Sequence, residues 1–139
     1  MIVIAGHWDF SWSSPMEEMY YWEGLIREYG VDILHMSPIT GISNKYVKEI
    51  PDISTGLDKY PELTPVFVCE DSKTELENFE HPENALYVFG KTTYSPYNHL
   101  ASQQEISVKI ATPNGLAMLM APIAAGIVLE DRKRKWHLQ

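Results

Sequence analysis

Seven consecutive residues near the amino end, Gly6-His7-Trp8-Asp9-Phe10-Ser11-Trp12, hold a histidine, an aspartate and three aromatic rings. Interleaved rings can stack a nucleobase, and a His close to an Asp can place or remove a proton. The same residues also suit a loop that folds its rings onto the domain, because aromatic bodies with polar tips are common at surfaces. A second stretch, Tyr94-Ser95-Pro96-Tyr97-Asn98-His99, has the composition of a substrate-binding loop or of an ordered surface turn. Spacing speaks against several other chemistries. His7, His35, His81, His99 and His137 include no i,i+3 or i,i+4 pair, and a single Cys cannot build a thiolate site, so no metal site is expected. There is no G-x-G-x-x-G and no G-x-x-x-x-G-K-[ST], the loops that cradle dinucleotides and triphosphates. Nor is there a G-x-S-x-G turn to present a nucleophilic serine. Met16, Met19, Met36, Met118 and Met120 read as core packing.

The elements that must hold these residues can be read from apolar spacing. Ile2–Ala5 is a buried-strand pattern ending at Gly6. Ser13 or Ser14, then Pro15, Glu17 and Glu18, signal a helix start, and Gly30 its stop. Val31–Met36 is a second strand. Residues 39–62 are rich in turn formers, with a short helix expected near Asn44–Ile50. Pro65–Cys69, Ala85–Phe89 and Ile106–Ile110 are three further strands, and Ser72–Phe79 reads as a short acidic helix. Lys91–Gln104 is a loop. The last helix is expected from about Leu119 or Met120, with Pro122 tolerated in its first turn. Strands alternating with helices predict an α/β fold, a mostly parallel sheet with helices on both faces. In such sheets ligands bind beyond the carboxyl ends of the strands.

The 139 residues fit one domain spanning 1–139. The lone Cys69 fits a reducing compartment, and MIVIAGHWDF reads as a strand rather than a signal peptide, so a cytoplasmic protein is expected. No apolar run approaches the ~20 residues of a membrane span. The net charge of -8 argues against a strong phosphate-backbone binder. That charge is unevenly spread: -11 over residues 1–83 and +3 over residues 84–139. The basic run Arg132, Lys133, Arg134, Lys135 can dock a polyanion, or it can simply complement a helix C-terminus.

HPENALYVFG, followed by VKIATPNGLAMLMAPIAAGIVLED, resembles the second and third motifs of the SpoU-type ribose 2'-O-methyltransferases, which belong to the SPOUT superfamily of trefoil-knot methyltransferases. Arg27-Glu28-Tyr29-Gly30-Val31-Asp32-Ile33-Leu34-His35-Met36 looks like that family's first helix running into its second strand. The likeness covers most of the chain, with residues 39–62 matching only in length and order. It implies a C-terminal deep trefoil knot over about residues 84–139. It also implies S-adenosyl-L-methionine held in the knot, and a homodimer through the C-terminal helix. Carried over position by position, the cofactor pocket falls on Cys69, Gly90, Ile110, Met118 and Leu119. Glycine at 90 would let backbone approach the cofactor closely.

The polar positions of the three motifs differ in this chain. The family's Asn and Arg in the first helix fall on Glu18 and Gly24, with Arg27 about one turn further on. Its Asn-Glu-Gly becomes Lys91-Thr92-Thr93, its Ser-Leu-Asn becomes Met118-Leu119-Met120, and its Ile-Pro becomes Ile110-Ala111 with a proline at Pro113. The resemblance implies methyl transfer to a ribose 2'-hydroxyl of tRNA or rRNA. Arg27, His7 and His99 are the candidates to assist deprotonation. RNA would dock on Lys91, Lys109, Arg132, Lys133, Arg134 and Lys135. The alternative is a catalytically inactive protein of the same fold, acting as a binding or regulatory module.

Overall fold

The computed structural model describes residues 1–7, 15–36, 47–51, 53–70, 72–89, 106–114, 119 and 121–137. Six strands form one sheet: β1 (Ile2–His7), β2 (Asp32–Met36), β3 (Val47–Glu49), β4 (Thr64–Val68), β5 (Ala85–Phe89) and β6 (Ser107–Val108). Among the described residues the α-helices are α1 (Pro15–Tyr29), α2 (Ile53–Lys59) and α3 (Ala121–His137). The sheet order is β3-β2-β1-β5-β4-β6, and every pairing is parallel. The α/β expectation therefore holds.

The two central strands are short apolar runs. Val3, Ile4 and Ala5 in β1 and all five residues of β5 are buried, as parallel strands covered on both faces require. Alternate residues face opposite ways. Ile4, Ile33, Val66, Tyr87, Phe89 and Val108 pack with Trp22 of α1 and with Ala124, Ala125, Val128 and Leu129 of α3. Val3, Ala5, Phe67, Leu86 and Val88 pack with Ile50 and Leu63, against which Leu57 of α2 also lies. Helices thus cover both faces.

Local chemistry explains the helix ends. At φ +66° Gly30 takes the left-handed conformation, and its N–H donates to the Ile26 carbonyl at 2.9 Å, closing α1. In α3, Pro122 is the second residue, where its missing N–H would have had no helical acceptor. Gly126 faces α1, where an added Cβ would make an ordinary contact 3.7 Å from Leu25 Cδ2.

Three expectations need correction. The helix expected near Asn44–Ile50 is absent from its described part: Val47–Glu49 is the edge strand β3, paired with Ile33, Leu34 and His35, and the helix lies later, at Ile53–Lys59. The acidic helix expected over Ser72–Phe79 is only a single 3-10 turn, Leu76–Asn78. The Leu76 N–H is committed to the Lys109 carbonyl at 2.9 Å and is unavailable to a helix. The strand expected over Ile106–Ile110 is regular only over Ser107–Val108, although Lys109 bridges to Glu75. The Ser13/Ser14 cap and the Lys91–Gln104 loop lie outside the described residues.

Candidate functional site

All strands point the same way, so their carboxyl ends share one edge of the molecule. That edge is built around a clasp. Beyond β4, the Cys69 N–H donates to the Val108 carbonyl at 2.9 Å. On the other side of the same segment, the Lys109 N–H donates to Thr74 O at 2.9 Å and the Leu76 N–H donates back to Lys109 O. Cys69 and residues 74–76 therefore flank the end of β6 on its two sides. A buried serine holds the clasp: Ser72 Oγ accepts from the Thr74 N–H at 3.2 Å and from Ser107 Oγ at 2.9 Å.

Of the expected cofactor positions, Cys69 is buried at the end of β4, while Ile110 and Leu119 are half-buried and pack on the α1/α3 side of the core. Ile110 also lines a cavity of about 430 Å³ with Leu76, Thr112, Pro113 and Ile127, to which Glu75 and Glu77 contribute. Cys69 and Leu119 do not line it. Gly90 and Met118 lie outside the described residues. His7 is the last residue of β1, in register with Met36, and so stands at the carboxyl edge; His99 lies outside the described residues.

Arg27 is elsewhere. It sits in the last turn of α1, just before β2 begins, and so beyond the amino end of the sheet. From Pro15 to Arg27 the helix rises roughly 18 Å. Its side chain is 72% exposed, with Nε 3.6 Å from Glu28 Oε1. The chain's other arginines, Arg132 and Arg134, lie in the last turns of α3, and the Arg132 guanidinium bonds the Pro82 and Glu83 carbonyls just ahead of β5. Arg27 and Arg132 thus lie toward the amino ends of the strands, while Lys135, beside Arg134, reaches the Leu76 carbonyl at the clasp.

The basic run divides in the same way. Arg132 is buried, and Lys135 donates to the Leu76 carbonyl at 2.5 Å, to the Phe79 carbonyl at 2.8 Å and to Asp131 Oδ2 at 2.8 Å. Both are thus bonded within the chain, and neither stands as a free cation at the surface. Lys133 and Arg134 remain exposed, each near Glu130, and Lys109 is half-buried. Lys91 lies outside the described residues.

Around Arg132 is a polar network that sequence reasoning missed. His81 Nδ1 is 2.6 Å from the Tyr87 hydroxyl, and His81 Nε2 is 2.7 Å from Asp131 Oδ2. Arg132 donates to the Tyr87 oxygen at 3.1 Å. A neutral imidazole with its proton on Nε2 satisfies this arrangement: Arg132 donates to Tyr87, Tyr87 to Nδ1, and Nε2–H to Asp131. Burial holds the His81 imidazole below its ordinary pKa, against the opposing hydrogen bond and charge of Asp131. Burial likewise raises the Tyr87 phenol. One signal was present in the sequence: a tyrosine inside the wholly apolar run ALYVF needs a partner for its hydroxyl.

No protein-family model and no curated protein matches the chain. Solved structures do. The chain aligns over 100% of its length with 98% of a chain solved in work on 2-OH methylation of C/U34 on tRNA, at TM-score 0.78 and 14% identity. It aligns over 96% of its length with 74% of the A. aeolicus TrmH/SpoU tRNA modifying enzyme, at TM-score 0.75 and 9% identity. It also aligns over 96% with 57% of the SpoU methyltransferase AviRb from Streptomyces viridochromogenes, solved in complex with AdoMet, at TM-score 0.73 and 13% identity. Carried by the sheet order and the clasped sixth strand, the chain has the fold of the TrmH/SpoU RNA methyltransferases.

Proposed function

We propose that the protein is an S-adenosyl-L-methionine-dependent RNA methyltransferase that acts on a ribose 2'-hydroxyl of tRNA or rRNA. The observation that carries this is the likeness, over nearly the whole chain, to structures described through 2-OH methylation of tRNA, as a tRNA modifying enzyme and as a SpoU methyltransferase with AdoMet. The clasp on both sides of β6 supports a C-terminal trefoil knot, because a knot needs the chain to run between two parts of a loop.

This reading assigns the walls of the methyl-donor site to Cys69, Ile110 and Leu119, with backbone groups reading the polar edge of the adenine. Gly90 and Met118 complete the set. When bound, S-adenosyl-L-methionine supplies a methyl group on a sulfonium. The chain's own task is to hold the ribose hydroxyl in line with it, since most of the barrier is met by positioning. His7, at the carboxyl edge, and His99 are the groups this reading assigns to take the hydroxyl proton. Arg27 reaches a donor site only across a homodimer, built through α3, from the partner subunit.

A catalytically inactive protein of the same fold is the second reading. Arg27 and Arg132, toward the amino ends of the strands, favour it, together with Met118 and Met120 in place of polar motif residues. Two measurements separate the readings. Calorimetry is expected to give saturable S-adenosyl-L-methionine binding that Gly90→Trp abolishes. Tritiated methyl is then expected to enter total tRNA or rRNA. Donor binding without label transfer at any protein excess would leave only the inactive module.

A further inference from the structure

At the amino end of the sheet, Ile2, Glu28, Tyr29, Arg132, Lys133 and Trp136 line a cavity of about 360 Å³. We propose that this cavity is a nucleotide subsite that takes one ribonucleotide unit of RNA, with its base against Trp136 and its phosphate at Lys133. The proposal deepens the RNA reading above and rests on it.

The ring is already set in place. The Arg132 guanidinium is fixed by the Pro82 and Glu83 carbonyls and the Tyr87 hydroxyl, and its carbon lies 5.2 Å from the Trp136 ring centroid. An arginine stacked on an indole is a platform that costs little further ordering when a base joins it. Trp136 keeps 39% of its surface exposed, and a base can stack on an open indole whatever its identity. Lys133 is 64% exposed, and its nearest carboxylate, Glu130, is heavily shared. Glu130 Oε1 also meets Arg134 at 3.2 Å, and Oε2 accepts the Tyr29 hydroxyl at 2.7 Å. Lys133 is thus the cation at the cavity with most to gain from a phosphate. The exposed Glu28 carboxylate can accept a base's amino group, and the volume lies in the range of small-ligand sites.

The position also has a geometric consequence. The subsite and the cavity at Ile110 are lined by different residues of α3, Arg132, Lys133 and Trp136 for the one and Ile127 and Asp131 for the other. The nucleotide bound here would add a contact to RNA beside the cavity at Ile110.

The test is a titration of the isotope-labelled full chain, followed by NMR, with AMP and with hexa-adenylate. The Trp136 indole N–H and the amides of Glu28, Tyr29 and Lys133 are expected to shift and saturate. Hexa-adenylate should bind roughly tenfold tighter than AMP and lose affinity as salt rises. Trp136→Ala should weaken hexa-adenylate roughly tenfold or more, the size of one lost base stack. Lys133→Glu, a surface change that leaves the Arg132 network alone, should weaken it by a similar factor and flatten the salt dependence. Calorimetry with S-adenosyl-L-methionine should give the same affinity in both variants as in the wild type, so a failed donor reading registers separately from a failed subsite. Absence of shifts at these residues with millimolar hexa-adenylate would overturn the proposal. AMP binding as tightly as hexa-adenylate would overturn its RNA source in favour of a free nucleotide.

Discussion

A protonated His81 would carry a proton on Nδ1, facing a Tyr87 hydroxyl that already accepts from Arg132 and would lose the acceptor for its own O–H. Burial acts in the same direction, so the folded-state pKa lies below that of the unfolded chain. The unfolded chain then binds more protons in this window, and stability rises with pH. The contribution is full above the unfolded value of about 6.5 and is lost as pH falls from there toward the depressed folded value. Thermal melts of wild type and His81→Gln are expected to diverge at neutral pH and converge toward pH 5. Parallel curves would mean that His81 is not the group responsible. The Glu130 carboxyl, lowered chiefly by the Tyr29 hydroxyl bond, acts in the same direction, since the unfolded chain again binds more protons, but in a more acidic window. What the sequence could not convey at this scale is direction. The run Arg132 to Lys135 looks like one patch of charge, yet helical geometry turns Arg132 and Lys135 inward and Lys133 and Arg134 outward.

Elements with strong local signals were the legible ones. The apolar runs of β1 and β5 are strands because burial on both faces demands them, and Gly30 ends α1 because only glycine takes φ +66° without strain. A Cβ at Gly30 meets no atom within 4 Å, so backbone conformation alone sets the cost of substitution. Gly30→Ala is expected to destabilise by about 1 kcal/mol in urea unfolding. A change near zero would mean that the α1 end rearranges freely. The elements that were misread are those made by distant partners. Val47-Lys48-Glu49 carries little strand propensity and is a strand because β2 offers it an edge. Ser72–Phe79 carries helix signals, but the bridge from Glu75 to Lys109 takes its backbone first. The candidate site divides along the same line: the positions at strand ends were legible, and the end of the sheet on which Arg27 falls required the packed topology.

For the whole molecule, the α1/α3 side leaves apolar side chains uncovered. Ile123 and Ile127 are exposed one turn apart on α3, and Tyr20 is exposed on α1. Burying such a strip in a homodimer removes the cost of leaving it in water. Sedimentation of the full chain is expected to give a dimer, and Ile127→Asp a monomer with unchanged secondary structure. A wild-type monomer at high concentration would remove both the dimer and the route by which Arg27 meets a donor site. The clasp bears on how the molecule comes apart. The backbone on either side of β6 is bonded to it, Cys69 on one side and Thr74 and Leu76 on the other. A machine that threads proteins from the carboxyl end would unwind α3 and then pull on β6, loading hydrogen bonds on both of its sides at once. Hauling from the amino end would strip β1 from between β2 and β5 and take away the centre of the sheet before those bonds are loaded. The same fold is thus tethered at one terminus and open at the other, and its lifetime under such a machine depends on which end is seized.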